Sequence, residues 1–226
     1  MSSAATPHFA RLRCPGCGTV FPAEILASTG AGGTVESDLC YRGSGVFPYP
    51  YFVVVCPGCL VAAYASDFTY LGRMPRYSPL DPLGRKLGAF LKEQREHYPG
   101  TAKYGMAARA YIARGAPPLT IAYLYLRGSW CARHDRDYAA ERRYQLEALH
   151  WFKEALARGL PTRVEGAIVT YLIGELNRRT GQFAEALAWF GRLPPDLPSW
   201  LAPGAREMQA LASRGDASGR TLPRDS

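Results

Sequence analysis

The sequence predicts an α+β fold, in which a small β-rich module precedes a set of α-helices. Short alternating apolar runs, separated by glycine- and serine-rich segments, fill the first third of the chain. Apolar residues at helical spacing fill most of the remainder, and a Pro/Gly-rich stretch at 74–84 separates the two patterns. The predicted organisation is a flexible lead at 1–7, the β-rich module at 8–82, a helical domain at 83–212 and a disordered tail at 213–226.

The composition is ordinary for a soluble globular protein. Of 226 residues, 47% are hydrophobic and 20% are charged. The apolar run at 51–55 is far too short to cross a bilayer, and residues 1–13 lack the pattern of a secretory signal. We therefore expect a cytoplasmic protein, in which paired cysteines more often bind metal or carry redox chemistry than form disulfides.

The net charge of +8 is unevenly distributed along the chain. Residues 1–82 hold five Lys/Arg and five Asp/Glu, whereas residues 83–226 hold twenty-two and fourteen. A strongly basic balance is a signal of nucleic-acid binding. Here the surplus falls outside the cysteine-containing part, which weakens that interpretation.

Four cysteines form two CPGC motifs in the predicted β-rich module. The Pro-Gly pair inside each motif favours a tight turn that lets two thiolates reach one ion, and apparent strands flank both turns. Two such turns supply the tetrahedral shell of a closed structural site. The sequence therefore predicts a zinc-ribbon-like module with one structural zinc ion held by Cys14, Cys17, Cys56 and Cys59.

Two other chemistries remain open at these four cysteines. A redox dithiol needs a CxxC motif at a helix N-terminus, whereas both motifs here are flanked by apparent strands. An iron–sulfur cluster also accepts four cysteines, and spacing alone does not exclude it. Cys40 lies between the motifs, where a buried structural role is favoured over a fifth ligand because the shell is already complete. Cys131 is expected in the core and His8 on an exposed strand.

The helical half contains a segment that resembles a tetratricopeptide repeat, a helix–turn–helix unit of 34 residues. The segment runs from 164 to 198. The matching positions are Gly174, Gly181, Ala186, Phe190 and Pro198. Gly174 and Ala186 lack bulk, so the two helices of the unit are expected to approach closely.

Two further helical hairpins are predicted before this segment. The residues at 124–161 reproduce the same spacing with about eight extra residues around 134–143, which lengthen either the turn or the second helix. A weaker match covers 83–97 and 102–114. Three hairpins are about the minimum for a self-supporting solenoid, so we expect a tetratricopeptide-like solenoid of that size.

Most aromatic and arginine side chains of the helices are expected in packing contacts or on solvated faces. Some arginines could instead line the concave groove of the solenoid and bind an acidic peptide or a carboxylate. Asn177 occupies a position that often faces this groove in the repeats it resembles. The sequence therefore offers Asn177, Arg127 and Arg178 as partner-contact candidates.

Together these motifs resemble a bacterial family described as domain of unknown function 2225, and the resemblance covers nearly all of residues 8–198. The segments that carry the resemblance are CPGCG at 14–18, SDLCYRG at 37–43, YFVVVCPGCLVAAYASDF at 51–68, the helix at 116–130 and TYLIGELNRRTGQFAEALAWF at 170–190. Leu60 departs from the pattern, since a glycine more often stands there. The family has no established activity, so the resemblance implies an architecture and leaves the function open.

Three functions are consistent with the sequence. The favoured one is a non-enzymatic zinc-binding scaffold whose helical repeats bind a protein partner, because no catalytic motif or phosphate-binding loop is recognisable. The second is nucleic-acid binding through the zinc module and the basic helices, with aromatic residues at 47, 49, 51 and 52 stacking on bases. The third is an enzyme with acid/base groups Asp67, Glu165 and Glu175 between the two modules.

Overall fold

The computed structural model describes residues 6–26, 32–43, 45–74 and 82–223. The strands are β1 (Pro7–Arg13), β2 (Val20–Leu26), β3 (Gly33–Val35), β4 (Tyr41–Gly43), β5 (Val53–Val55), β6 (Ala62–Tyr64) and β7 (Thr69–Arg73). The helices are α1 (Pro82–His97), α2 (Gly100–Ala113), α3 (Pro118–His134), α4 (Tyr138–Ala157), α5 (Arg163–Arg179), α6 (Phe183–Phe190) and α7 (Ala202–Ser213). A small β region followed by helices confirms the predicted α+β class.

The chain divides into two compact units, and the division differs from the predicted one. The first unit comprises residues 1–32, 43–116 and 130–137, and the second comprises 33–42, 117–129 and 138–226, each within the described residues. Helices α1 and α2 thus belong with the cysteine motifs, and the segment between the motifs belongs with the later helices. The predicted boundary at 82/83 does not coincide with this division.

The first unit is built on an antiparallel sheet with the strand order β2-β1-β7. Ala10 pairs with Ala23 and Leu12 with Phe21, and all four side chains are buried on one face. This alternation is what the sequence pattern predicted for β1. A second antiparallel pair, β5 and β6, contributes a fully buried VVV run. Each pair encloses one CPGC motif, so the predicted strand–turn–strand arrangement occurs twice.

Helix α2 packs mainly against β5 and β6. Tyr104, Ala107, Ala108 and Tyr111 recur at helical spacing and form its buried face. The Tyr104 hydroxyl donates a hydrogen bond to the Tyr49 carbonyl at 3.0 Å. Helical periodicity correctly predicted α2, but it does not specify which neighbour the buried face meets. The sequence therefore placed the hairpin at 83–97 and 102–114 with the later helices, whereas α2 packs on the strands of the first unit.

The second unit contains the segment that resembles a tetratricopeptide repeat. Helix α5 begins at the N-cap Thr162, whose hydroxyl accepts a hydrogen bond from the Glu165 amide at 3.1 Å. Gly181 has a φ of 82° at the turn before α6. Gly174 lies so close to the Phe190 ring that a Cβ would come within 2.8 Å of it. The predicted close approach of α5 and α6 is therefore present.

The extra residues predicted around 134–143 lengthen the second helix of their hairpin. Helix α4 is 20 residues long, and only three residues separate it from α3. Tyr123 meets Phe152 edge-on at 5.2 Å between ring centroids, so the two helices pack. Both predicted helix pairs, α3 with α4 and α5 with α6, are present; their stacking as a solenoid remains a prediction.

The tail at 213–226 was predicted as disordered, but its described residues pair through their backbone with the segment at 33–42. The Ser37 amide donates to the Arg220 carbonyl and the Leu222 amide to the Val35 carbonyl, both at 2.7 Å, and Glu36 bridges to Thr221. Leu222 is 6% exposed. Backbone pairing with the 33–42 segment, which composition does not reveal, explains the difference. Most of the predicted lead lies outside the described residues, and Pro7 already belongs to β1.

Among the described residues, no helix combines the length and the hydropathy needed to span a bilayer.

Candidate metal centre

The two CPGC motifs have the same backbone geometry. In the first, the Cys14 amide donates to the Thr19 carbonyl and the Gly18 amide to the Cys14 carbonyl, both at 2.9 Å. In the second motif, the Cys56 amide donates to the Val61 carbonyl and the Leu60 amide to the Cys56 carbonyl, again both at 2.9 Å. Each motif is thus a closed turn between two paired strands, and its thiols are held at one end of the strand pair.

The four thiols converge on one point. The Sγ atoms of Cys14 and Cys59 lie 3.7 Å apart, those of Cys17 and Cys56 lie 3.6 Å apart, and all four lie within 4.8 Å of one another. Zn–S bonds of about 2.3 Å in a tetrahedron place the sulfurs about 3.8 Å apart. The observed distances are far longer than an S–S bond, and all four cysteines are free. The four cysteines predicted as ligands therefore lie close enough together to bind one metal ion.

Hydrogen bonds, desolvation and the neighbouring thiols shift the pKa values of three of these cysteines. The Thr19 hydroxyl and amide hydrogen bonds lower the pKa of Cys17 to about 6. Burial raises the pKa of Cys56. The Val61 amide acts to lower the pKa of Cys59, but desolvation of its sulfur and hydrogen bonds with the three neighbouring thiols outweigh it and raise that pKa to about 12. Four thiolates at this spacing require a cation between them.

A zinc ion fits this donor set. Cys14 and Cys56 are buried, whereas Cys17 and Cys59 are exposed, so the centre lies at the surface with half of its shell protected. The Gly58 amide points to the Cys56 sulfur at 3.4 Å and supports its negative charge. When bound, the ion supplies the positive charge that holds all four cysteines as thiolates and joins the two strand pairs.

Leu60 is where the second motif departs from its expected pattern. Leu60 has a φ of 60°, and Gly18 in the equivalent place has a φ of 75°. This left-handed conformation favours glycine, because a Cβ there meets the following carbonyl oxygen. The side chain of Leu60 is exposed, so packing does not offset the strain. Leu60 nevertheless makes the same backbone hydrogen bond as Gly18, from its amide to the carbonyl of the first cysteine of its motif.

The remaining cysteines and His8 lie outside the donor set. Cys40 is fully buried in the second unit, with its thiol 3.9 Å from the Tyr41 carbonyl. Cys131 is buried against Gly100 in the first unit. Both therefore have the structural role expected for them. His8 is partly buried on β1, where burial and then the charge of Arg73 lower its pKa.

Two of the three partner-contact candidates are corrected by the structure. Asn177 and Arg178 are both 0% exposed. The Asn177 side-chain amide donates to the Ile173 carbonyl at 2.7 Å, and the Arg178 guanidinium is bound to Glu175 on the same helix. Neither side chain presents a surface to a partner. Arg127 is half-buried, with its guanidinium 5.8 Å from the centre of the Tyr123 ring.

Arg178 belongs to a buried polar cluster on α5. The Ser37 hydroxyl donates to Glu175 at 2.5 Å, and the Tyr171 hydroxyl donates to the Ser37 carbonyl at 2.6 Å. Arg179 forms an ion pair with Asp38 at 3.4 Å. The segment between the cysteine motifs therefore covers the face of α5 that carries Tyr171 and Glu175, and Glu175 in turn binds Arg178.

The three acid/base candidates are engaged elsewhere. Asp67 lies in the first unit, where it accepts hydrogen bonds from the Tyr111 hydroxyl and, at 3.1 Å, from Arg114. Glu175 belongs to the buried cluster of the second unit, and Glu165 belongs to the cap of α5. No sequence signal identified Thr19 or Gly58, whose roles at the centre depend on the meeting of two motifs far apart in sequence.

Comparison with known proteins supports the architecture without assigning an activity. No curated protein and no solved structure matches the chain. A family model described as an uncharacterized protein conserved in bacteria matches residues 10–196, which include both cysteine motifs and helices α1 to α6. The chain therefore belongs to this bacterial family, domain of unknown function 2225.

Proposed function

We propose that the protein is a non-enzymatic zinc-binding scaffold, in which the ion stabilises the first unit and the helical second unit binds a protein partner. The observation that carries the proposal is the closed set of four thiols within 4.8 Å of one another. Four protein ligands fill a tetrahedral shell and leave no position for a substrate, so the ion acts on folding rather than on a reaction.

The metal half of the proposal is tested with single-cysteine variants. Cys14→Ser and Cys59→Ser remove one ligand each, and we expect both to lose the ion and to unfold the β strands of the first unit. Cys131→Ser is the matched control, because Cys131 is buried but lies outside the donor set. Full zinc content with an unchanged melting curve in Cys14→Ser would contradict a structural ion.

The partner half rests on a cationic aromatic surface of the second unit. Trp189 on α6 is half-buried, and the Arg192 guanidinium lies 4.3 Å from its ring centroid. The Lys153 ammonium of α4 lies 5.9 Å from the same ring. Both cations are exposed. Aromatic and arginine side chains dominate binding energy in protein interfaces, and two adjacent cations favour an acidic segment.

This surface is tested by selecting peptides from a displayed random library on the zinc-loaded full chain. We expect peptides rich in Asp and Glu, and about a tenfold loss of affinity or more in the double variant Lys153→Glu/Arg192→Glu. Arg206→Glu on α7 is the matched control, because Arg206 is exposed and outside the surface. Equal binding by the double variant and the control would contradict the proposed surface.

One observation keeps nucleic-acid binding as a second candidate. The first unit holds thirteen of the twenty-seven Lys/Arg and seven of the nineteen Asp/Glu, so the cysteine-containing unit is itself basic, contrary to the expectation from sequence order. Its aromatic residues, however, pack with one another: Tyr49 is buried and contacts Phe47, Phe52 and Trp130. Binding of a labelled oligonucleotide that weakens steeply with salt would favour this candidate.

A further inference from the structure

The first unit contains a cavity of about 520 Å³, within the size range of small-molecule sites. It lies among β2, β5, the turn at Tyr49–Tyr51, helices α1 and α2, and the end of α3. Its walls are largely apolar and include Phe21, Val55 and Leu91, each about 5% exposed. Neither the metal centre nor the cationic surface of the second unit includes this cavity.

Lys103 brings a positive charge to these apolar walls. Its ammonium donates a hydrogen bond to the Pro50 carbonyl at 3.0 Å, and both residues line the cavity. Among the described residues this carbonyl is its one hydrogen-bond acceptor, and no carboxylate lies within 4.0 Å of it. An ammonium with a single neutral acceptor retains two N–H groups to donate. Burial lowers the pKa of Lys103.

The other charges of the cavity offset one another or lie at its edge. Arg95 forms an ion pair with Glu24 at 3.2 Å, and more than half of the Arg95 side chain is exposed. His134 and Asp135 are exposed. Lys103 is therefore the charge that a ligand inside the apolar part of the cavity would meet. Keeping an ammonium in such a place is unfavourable unless an anion joins it.

We propose that this cavity binds a small organic carboxylate with an apolar body. The carboxylate pairs with the Lys103 ammonium, and the body lies against Phe21, Val55 and Leu91. The ion pair then forms against apolar walls at a half-buried ammonium, so charge discriminates between a carboxylate and a neutral molecule of the same shape. The apolar walls supply affinity for the body.

The ligand class is tested by calorimetric titration of the zinc-loaded full chain with 4-phenylbutyrate and with its neutral amide. We expect saturable binding of one carboxylate per chain, about tenfold tighter than the amide or more. Lys103→Met should abolish this preference, whereas Lys92→Met should retain it, because Lys92 lies on the exposed side of α1. No binding of either probe, equal binding of both, or a preference retained in Lys103→Met would overturn the proposal.

A second measurement does not depend on the variant folding. The chain has four lysines, at 86, 92, 103 and 153, and their acetylation can be followed separately by mass spectrometry. We expect saturating 4-phenylbutyrate to slow acetylation of Lys103 severalfold and to leave the other three lysines unchanged. Equal protection of all four, or no protection of Lys103 while the probe is bound, would place the carboxylate elsewhere and overturn the assignment.

Discussion

Gly58 of the second cysteine motif lies directly against Thr19, the residue that follows the first motif. A Cβ on Gly58 would come within 2.5 Å of the Thr19 Oγ1, 3.2 Å of its Cβ and 3.4 Å of its Cγ2. Rotation of the Thr19 side chain cannot clear all three contacts. The Thr19 hydroxyl in turn lies 3.1 Å from the Cys17 sulfur, so this close approach connects the two motifs beside one of the four clustered thiols.

Gly58→Ala is therefore expected to weaken the metal centre. The added methyl group displaces Thr19, and overpacking of this kind costs about 1–3 kcal/mol. The equivalent Gly16→Ala is the matched control, because the nearest atom to its Cβ would be the Cys14 sulfur at an ordinary 3.8 Å. Zinc affinity and thermal unfolding should change much more in Gly58→Ala than in Gly16→Ala. Equal effects would show that the two motifs do not meet at this contact.

Leu60→Gly is expected to stabilise the first unit. The left-handed conformation of Leu60 costs about 1–2 kcal/mol, and glycine removes most of that cost at an exposed site. Part of the gain is offset because glycine is more flexible in the unfolded chain. The reverse change, Gly18→Ala, meets no atom within 4 Å and should destabilise through strain alone. Chemical denaturation at a fixed zinc concentration measures the free energy of unfolding, which should rise in Leu60→Gly and fall in Gly18→Ala. A lower value in Leu60→Gly would contradict the interpretation.

Gly174→Leu is expected to disrupt the pairing of α5 with α6. Even the first carbon of a side chain would come within 2.8 Å of the Phe190 ring, so the helices must separate at a cost of about 3 kcal/mol or more. Gly166→Ala on the same helix is the control, because nothing lies within 4 Å of its Cβ. That control should be neutral or gain about 0.5–1 kcal/mol from helix propensity. Wild-type helicity and melting in Gly174→Leu would argue against the close approach.

The ion pair between Glu175 and Arg178 is expected to matter most to the second unit when only one partner is removed. Both side chains are 0% exposed, and Arg178 also donates to the Asp216 carbonyl at 2.6 Å. Arg178→Met leaves a buried carboxylate without its cation and should cost about 3–5 kcal/mol. The double variant Glu175→Leu/Arg178→Met should cost less than the single one. If urea denaturation gives the single and double variants equal stability, the pair is not buried as described.

An exposed ion pair of the same unit provides the comparison. Arg163 and Asp196 lie 2.8 Å apart, with 74% and 58% of their side chains exposed. Such pairs contribute about 0–1 kcal/mol, so Arg163→Met should leave the denaturation curve nearly unchanged.

The sequence predicted the parts of the molecule that depend on local pattern. The convergence of the four cysteines followed from two CPGC motifs, the flanking strands followed from alternation, and the closeness of α5 and α6 followed from Gly174. Each of these signals is contained in a short window of sequence. Bringing the four cysteines together required only that the two CPGC motifs meet in the fold.

The parts that were predicted wrongly depend on contacts between distant segments. Asn177 and Arg178 occupy positions where an open groove was expected, but both are buried. Arg178 shares Glu175 with Ser37, which lies about 140 residues earlier in the chain. The same segment pairs with the chain near Leu222, so a polar tail that resembles a disordered one is held by backbone hydrogen bonds. Helical periodicity likewise predicted α2 without specifying that β5 and β6 would cover it.

The most direct test of the central claim is a metal analysis of the purified full chain, with zinc, iron and protein quantified in one sample. The account predicts about one zinc per chain, no iron, and loss of the zinc in Cys59→Ser. Iron in place of zinc, or no metal together with readily oxidised cysteines, would contradict the structural zinc centre and redirect the question to redox chemistry.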